Sequence, residues 1–349
     1  MTSLETYNPK EKRKVAIIIP CYKAKGILNK VVDDVIKYLT LIKKSFDFKI
    51  IIVNDACPFN SLENIQENIF IKIINNQYNS GVGASTINGI KFALNNGYDA
   101  IIKLDADGQH PPKYLIELIP FIFSLPKYKL FLTKGTRYKI RISKTNIPIM
   151  RRFGTLFLDP IARVALGYRG LSDVTNGFLA MDSKTAQLIL SSKVGINIES
   201  RYLFECSILA KCSELSINLN QFCMLPKYGD NWISSMSAIK MFIPMLIFWI
   251  KAILFRFFRK YLKSLNLGSI LLFISFLNLS LCQLLLFTKV LPEIKRGILV
   301  TAGNSSAFTS LGTLAIISMI LFLLYDYGSG IKTNIVFFKS LIENETNYK

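Results

Sequence analysis

Short apolar runs alternate with helical periodicity along the first third of the chain. Val15-Ala16-Ile17-Ile18-Ile19, Lys49 to Val53, Ile69 to Ile74 and Ala100-Ile101-Ile102-Lys103-Leu104 are rich in β-branched residues and end at Pro, Asn or Asp. Near-continuous hydrophobicity of this kind predicts strands buried on both faces of a parallel sheet. Between Ile27 and Lys44, Leu28, Val31, Val32, Val35, Ile36 and Leu39 share one side of a helix, and residues 79–84 open a second helix running to about Asn95. Leu130 to Thr133 reads as a fifth strand, residues 173–178 as a polar turn feeding another, and Arg201 to Lys211 as a helix. This alternation predicts an α/β domain over residues 15–237, a mostly parallel sheet with helices on both faces, after a polar segment 1–14.

The pattern then changes. Between Lys240 and Lys263, Lys240, Lys251, Arg256, Arg259, Lys260 and Lys263 fall on one half of a helix, and Leu246, Ile250, Ile253, Leu254, Phe257 and Tyr261 on the other. Residues 238–263 are therefore expected to lie in a membrane interface, with Pro244 as a break. Ser264 to Thr288 is a run of 25 uncharged residues, and Gly297 to Tyr325 is another uncharged run. Each is long enough to span a bilayer, so 264–326 reads as a transmembrane hairpin and 327–349 as a tail.

Formal net charge is +20, with 43 Lys and Arg against 23 acidic residues. Beside membrane segments this excess implies membrane lipids with anionic headgroups rather than nucleic acid, for which no recognition fold is visible. The basic flank before the first span places the α/β domain in the cytoplasm of a multi-pass protein of a bacterial inner or plasma membrane; Lys289, Lys295 and Arg296 in the connecting loop weaken that orientation. Met1 to Lys14 has no apolar core, so no secretory leader is expected there. The six cysteines lack Cys-x-x-Cys spacing and read as reduced, buried residues.

Candidate chemistry gathers at the predicted strand ends, where open α/β sheets bind ligands. Asp105-Ala106-Asp107 after the fourth strand would deliver two hard oxygen ligands to one side if the chain stays extended, as a metal-bound nucleotide requires. Asp55 ends the second strand, as a ligand contact or a turn cap. Gly81 and Gly83 allow either backbone approach to a phosphate or close helix packing. Arg137, Lys139, Arg141, Lys144, Arg151, Arg152, Arg163 and Arg169 form a basic stretch suited to phosphate or to a membrane surface. Glu205, among Leu203, Phe204 and Cys206, would have a raised pKa unless paired, and reads as an acid, a base or a buried ion-pair partner. His110 is the only histidine, which excludes a three-histidine metal site.

Taken in order, Ile19-Pro20-Cys21-Tyr22, Val53-Asn54-Asp55, Asn79 to Ala84, Leu104 to Pro112, Gly135-Thr136-Arg137-Tyr138, Asp173 to Phe178 and Phe204-Glu205 resemble the membrane-anchored family 2 glycosyltransferases. That group includes dolichyl-phosphate mannose synthase and bacterial polyprenyl-phosphate transferases. Pro148 to Gly154 and Tyr228 to Ser235 are similar to its surface-polysaccharide members with two C-terminal spans. The resemblance implies a GT-A fold, a UDP- or GDP-sugar donor, Mg2+ or Mn2+, and inversion at the anomeric carbon. It implies that Pro20, Tyr22, Asp55, Gly83, Asp105 and Asp107 hold the nucleotide sugar. Asp107 and Gln109 would be the direct metal ligands, with Asp105 on the ribose or the metal shell. One departure is Asn54, where the family usually has a first acidic residue.

The acceptor decides whether a base is needed. A polyprenyl phosphate is ionised near neutral pH, its second pKa being about 6, and asks for cations, for which Arg137, Arg151 and Arg152 are the candidates. A hydroxyl of a lipid-linked oligosaccharide asks for a carboxylate, Asp173 first and Glu205 second. A processive synthase is disfavoured because Trp232 and Trp249 lie in no Gln-x-x-Arg-Trp segment, and a sugar nucleotidyltransferase because no glycine- and arginine-rich loop follows Pro20. A non-catalytic lipid-headgroup scaffold remains as a rival, and a homo-oligomer is left open.

Overall fold

A computed structural model describes residues 12–137, 149–193, 195–225 and 238–339. Strands β1 (Arg13–Cys21), β2 (Phe46–Asn54), β3 (Ile71–Asn75), β4 (Ala100–Lys103), β5 (Phe131–Thr136), β6 (Leu179–Asp182), β7 (Asn218–Cys223) and β8 (Asn334–Val336) form one sheet. Its order is β8-β7-β5-β6-β4-β1-β2-β3. All neighbouring pairs are parallel except those of β6, which runs antiparallel between β4 and β5. That reversal matters for chemistry: β6 starts where β4 and β5 finish, so the turn preceding it is delivered to their carboxyl ends.

The central strand β1 shows why the apolar runs become strands. Ile17 and Ile19 pack with α1 (Leu28–Thr40) and α3 (Leu115–Ser124) in the main core on one face. On the other face Ile18 meets α2 (Val82–Asn95), where a Cβ on Gly89 would come within 2.6 Å of the Ile18 side chain. Both faces of β1 are thus dry, as its continuous hydrophobicity requires. Helices α4 (Ile149–Leu166), α5 (Ser183–Ser191) and α6 (Phe204–Glu214) follow in the chain. The six cysteines are free thiols.

The chain divides into two compact units, one reaching Trp249 and resuming at Lys332, the other Ile250–Ile331. Helix α7 (Ala238–Phe257) is continuous through Pro244. The expected break is absent because proline's fixed φ suits a helix, and near the start of α7 it forfeits only one hydrogen bond. In the second unit α8 (Leu267–Leu285) widens over Leu286–Val290 and runs on to Lys295, and α9 spans Ala302–Gly328. Both are long and apolar enough to cross a membrane, with mean hydropathies of 2.3 and 2.2, and only 11% and 17% of those segments is buried in the protein. Ser275 Oγ donates to the Ala315 carbonyl at 2.9 Å between them. At one end of the hairpin Asp326 accepts from Arg256 at 2.7 and 3.0 Å, from Lys260 at 3.1 Å and from the Tyr261 hydroxyl.

The segment after α9, which the sequence marks only as a tail, returns to the sheet as β8 beside β7.

Candidate active site

Strand β4 ends at Lys103, and the chain turns over Ala106 to Gly108, whose φ is +75°. The extended-chain expectation for Asp105 and Asp107 is therefore corrected: the turn separates the environments of the two carboxylates. Asp105 lies 2.6 Å from the Lys103 ammonium. Asp107 is exposed and accepts from the Gln109 backbone N–H at 3.0 Å and from Gln109 Nε2 at 2.7 Å. Behind them His110 is buried against Phe178, with ring centroids 5.3 Å apart. Its Nδ1 accepts from the Asp105 backbone N–H at 3.1 Å, which places the ring proton on Nε2. Burial pushes the His110 pKa down to about 4, against the pull of Asp105, so the ring is neutral.

Lys103 is 2% exposed and also donates to Glu205 Oε1, at 2.7 Å, from the first turn of α6. Burial alone would lower the lysine's pKa, but the two carboxylates hold it above the ordinary value. The same lysine holds Asp105 down, offsetting the opposite effect of burial. Glu205 is thus the buried ion-pair partner among its three sequence readings. The pair fits only because residue 177 is glycine. A Cβ there would stand 2.5 Å from both Asp105 Oδ2 and Lys103 Nζ.

The turn before β6 holds a second ion pair. Asp173 is fully buried, with φ +55°. It accepts from Arg137 Nε at 2.8 Å, Arg137 NH2 at 2.6 Å, the Arg137 backbone N–H at 3.0 Å and Asn176 Nδ2 at 3.0 Å. Burial raises its pKa, but Arg137 and these hydrogen bonds overcome that and hold the carboxyl well below the usual range. The Lys134 ammonium underneath donates to the Gly135, Ser172 and Asp173 carbonyls at 2.7–3.0 Å, and burial pushes its pKa down to about 8. Asp159 of α4 accepts from the Asp173 backbone N–H at 2.9 Å. Arg137 and Asp173, expected as a phosphate ligand and a base, are thus tied to each other rather than presented to solvent.

Asp55 is likewise committed. It is 2% exposed and accepts from Asn76 Nδ2 at 2.8 Å, Ser80 N at 2.9 Å and Gly81 N at 2.8 Å. Burial opposes ionisation, yet these donors keep its pKa below the ordinary value. The geometry is that of a clasp on the loop before α2, the turn-cap alternative. Gly83 packs so closely that a Cβ would lie 2.2 Å from the Glu199 carbonyl oxygen, which identifies close packing as the reason for that glycine. Pro20 is buried in β1; Tyr22 just beyond it is exposed, and the Lys23 ammonium lies 5.4 Å from its ring and 5.2 Å from that of Phe59.

Arg152 is exposed on α4; of Arg151 the structure describes only the backbone. Tyr138, Lys139, Arg141, Lys144, Pro148, Tyr228 and Trp232 lie outside the described residues. Among the described residues no group of three or more His, Cys, Asp or Glu side chains is placed to hold a metal. The structure brings Asp105, Asp107, Gln109, Glu205 and the Asp173 turn to one sheet edge. It adds Lys103, Lys134, Asp159 and Gly177, which the sequence reading gave no role. The available signal for Lys103 was a single charge inside an otherwise apolar strand.

Residues 16–184 match the family described as Glycosyl transferase family 2. The chain carries a family 2 glycosyltransferase domain with a GT-A fold, and the protein is a glycosyltransferase. It is similar to the UDP-N-acetylglucosamine--dolichyl-phosphate N-acetylglucosaminyltransferase of Methanococcus voltae, 29% identical over 222 residues, 58% of this chain and 82% of that one. The dolichol-phosphate mannosyltransferase of Pyrococcus furiosus is 27% identical over 206 residues, covering 58% of this chain and 54% of that one. Among solved structures, mannosyl-3-phosphoglycerate synthase from Rubrobacter xylanophilus superposes with a TM-score of 0.50 at 11% identity, over 73% of this chain and 77% of that one, a likeness of fold.

Proposed function

We propose that the protein transfers a sugar, with inversion, from a UDP- or GDP-linked donor to polyprenyl phosphate at the cytoplasmic face of a membrane, using Mg2+ or Mn2+. The choice of acceptor is carried by the pairing of Asp173 with Arg137 at 2.6 Å and of Glu205 with Lys103 at 2.7 Å. A sugar hydroxyl needs a carboxylate free to take its proton, and both candidates are instead engaged by buried cations. A phosphate monoester is already ionised above about pH 6 and needs none. Helix α4 supports the reading, since Leu156 and Phe157 are 66% and 64% exposed on the helix that carries Arg152. So do the dolichyl- and dolichol-phosphate enzymes to which the chain is similar.

The donor set on the acidic turn is all oxygen, which suits a hard divalent cation bound by one or two carboxylates together with substrate phosphates. Asp107 and Gln109 would hold it, and when bound it would neutralise the charge developing on the departing nucleoside diphosphate. Asp105, fixed by Lys103, is assigned to the ribose side. Tyr22 and Phe59 offer exposed rings to the base, and Asp55 fixes the loop before α2. Arg152, with Arg151, is assigned to the acceptor phosphate.

The test uses the purified chain, polyprenyl phosphate, a panel of labelled UDP- and GDP-sugars, and Asp107→Ala as control. Metal-dependent label in a lipid bearing one sugar on its phosphate, absent with Asp107→Ala, is expected. Label only when a lipid-linked saccharide is supplied would overturn the acceptor assignment.

A further inference from the structure

At the opposite edge of the sheet from the acidic turn, where β1, β2, β4 and β5 begin, lies a cavity of about 750 Å³. That is within the range of roughly 300–1,000 Å³ of sites that take small organic molecules. Its wall is lined by six cationic side chains, Lys12, Arg13, Lys44, Lys127, Lys129 and Lys184, against two carboxylates, Asp99 and Asp182. Both carboxylates have other work: Asp99 accepts from the Lys14 backbone N–H at 2.8 Å and from Arg13 at 3.4 Å, and Asp182 caps α5 through the Thr185 N–H at 2.8 Å. Lys44, Lys127 and Lys184 have no hydrogen-bond or carboxylate partner among the described residues.

The rest of the lining is mostly apolar, with Ser45, Thr133 and Ser183 as its uncharged polar members. Phe46 and Phe123 stack with centroids 5.4 Å apart and planes 13° apart, and the Arg13 guanidinium lies 5.9 Å from the Phe123 centroid. Uncompensated cations select phosphate, and a stacked aromatic wall beside a guanidinium selects a planar ring.

We infer that this cavity is a binding site for a small phosphorylated molecule with a planar aromatic body, of the chemical class of nucleoside phosphates, separate from the donor site. The inference is independent of the acceptor proposed above.

The experiment is calorimetric titration of ADP, adenosine and pyrophosphate into the full chain in EDTA, which removes metal-dependent binding at the acidic turn. ADP is expected to bind at one site, equally in the unsubstituted chain and Asp107→Ala, and more tightly than adenosine or pyrophosphate. Lys44→Glu with Lys184→Glu should weaken ADP by about tenfold or more, a difference of about 1.4 kcal/mol per decade. Both lysines are exposed, so the unfolding midpoint should stay unchanged. No ADP binding, binding insensitive to the double charge reversal, or binding lost in Asp107→Ala would each overturn the assignment.

Discussion

Replacing Lys103 with Met keeps the length of the side chain and removes only the charge. Two carboxylates that now sit 2.6 and 2.7 Å from its ammonium would be left beside each other without a cation. Breaking a buried pair by removing one partner costs about 3–5 kcal/mol, because the remaining charge stays desolvated. At about 2–4 °C per kcal/mol for a domain of this size, the thermal midpoint should fall by roughly 10 °C. Glu205→Gln alone should cost less, since Lys103 keeps Asp105. In the double variant only Asp105 remains charged, so its loss should fall short of the sum of the single losses by about 0.5–3 kcal/mol. The assay is thermal unfolding of the detergent-purified chain and its three variants, with nucleotide-sugar binding measured in parallel. A midpoint shift for Lys103→Met under about 3 °C, or strictly additive losses, would refute the claim that one lysine holds both carboxylates.

Gly177→Ala should lower both the midpoint and transfer activity, by about 1–3 kcal/mol of overpacking, because its Cβ would meet Asp105 and Lys103 at 2.5 Å. Gly303→Ala, with nothing within 4 Å of its Cβ, is the neutral control. Arg137→Gln should destabilise by about 3–5 kcal/mol by stranding fully buried Asp173, and Arg137→Lys should not restore the two-pronged contact, both measured by chemical denaturation. His110 is buried as the neutral ring with a pKa near 4, against about 6.5 when unfolded, so the unfolded chain binds the extra proton between those values. Its contribution is complete above pH 6.5 and is lost as pH falls toward 4, up to about 3 kcal/mol; His110→Gln should flatten that part of the stability curve.

The strands that can be read from the chain are those whose neighbours are apolar on both sides. β1, β2 and β4 have only that way to be buried, so their composition declares them. β7 hides because Asn220 and Gln221 are buried polar residues. Gln221 accepts from the Ser172 N–H at 2.9 Å and donates to the Gly170 carbonyl at 3.0 Å and to Thr333 at 2.9 Å, partners distant in sequence. The acidic turn was legible as a motif, but its side-chain directions were not. They depend on Lys103, Glu205 and Gly177 meeting from three separate elements. Asp173 looked like a free base for the same reason: nothing local announces that Arg137 will reach it.

β8 gives the chain an order of assembly. Its partner β7 is synthesised before either long apolar helix, and β8 only after both. Until then β7 presents an open row of backbone donors and acceptors, the kind of edge that recruits stray strands. Closing the sheet thus waits on the hairpin having been made. A chain cut short within the hairpin would carry its error as an unfinished sheet margin.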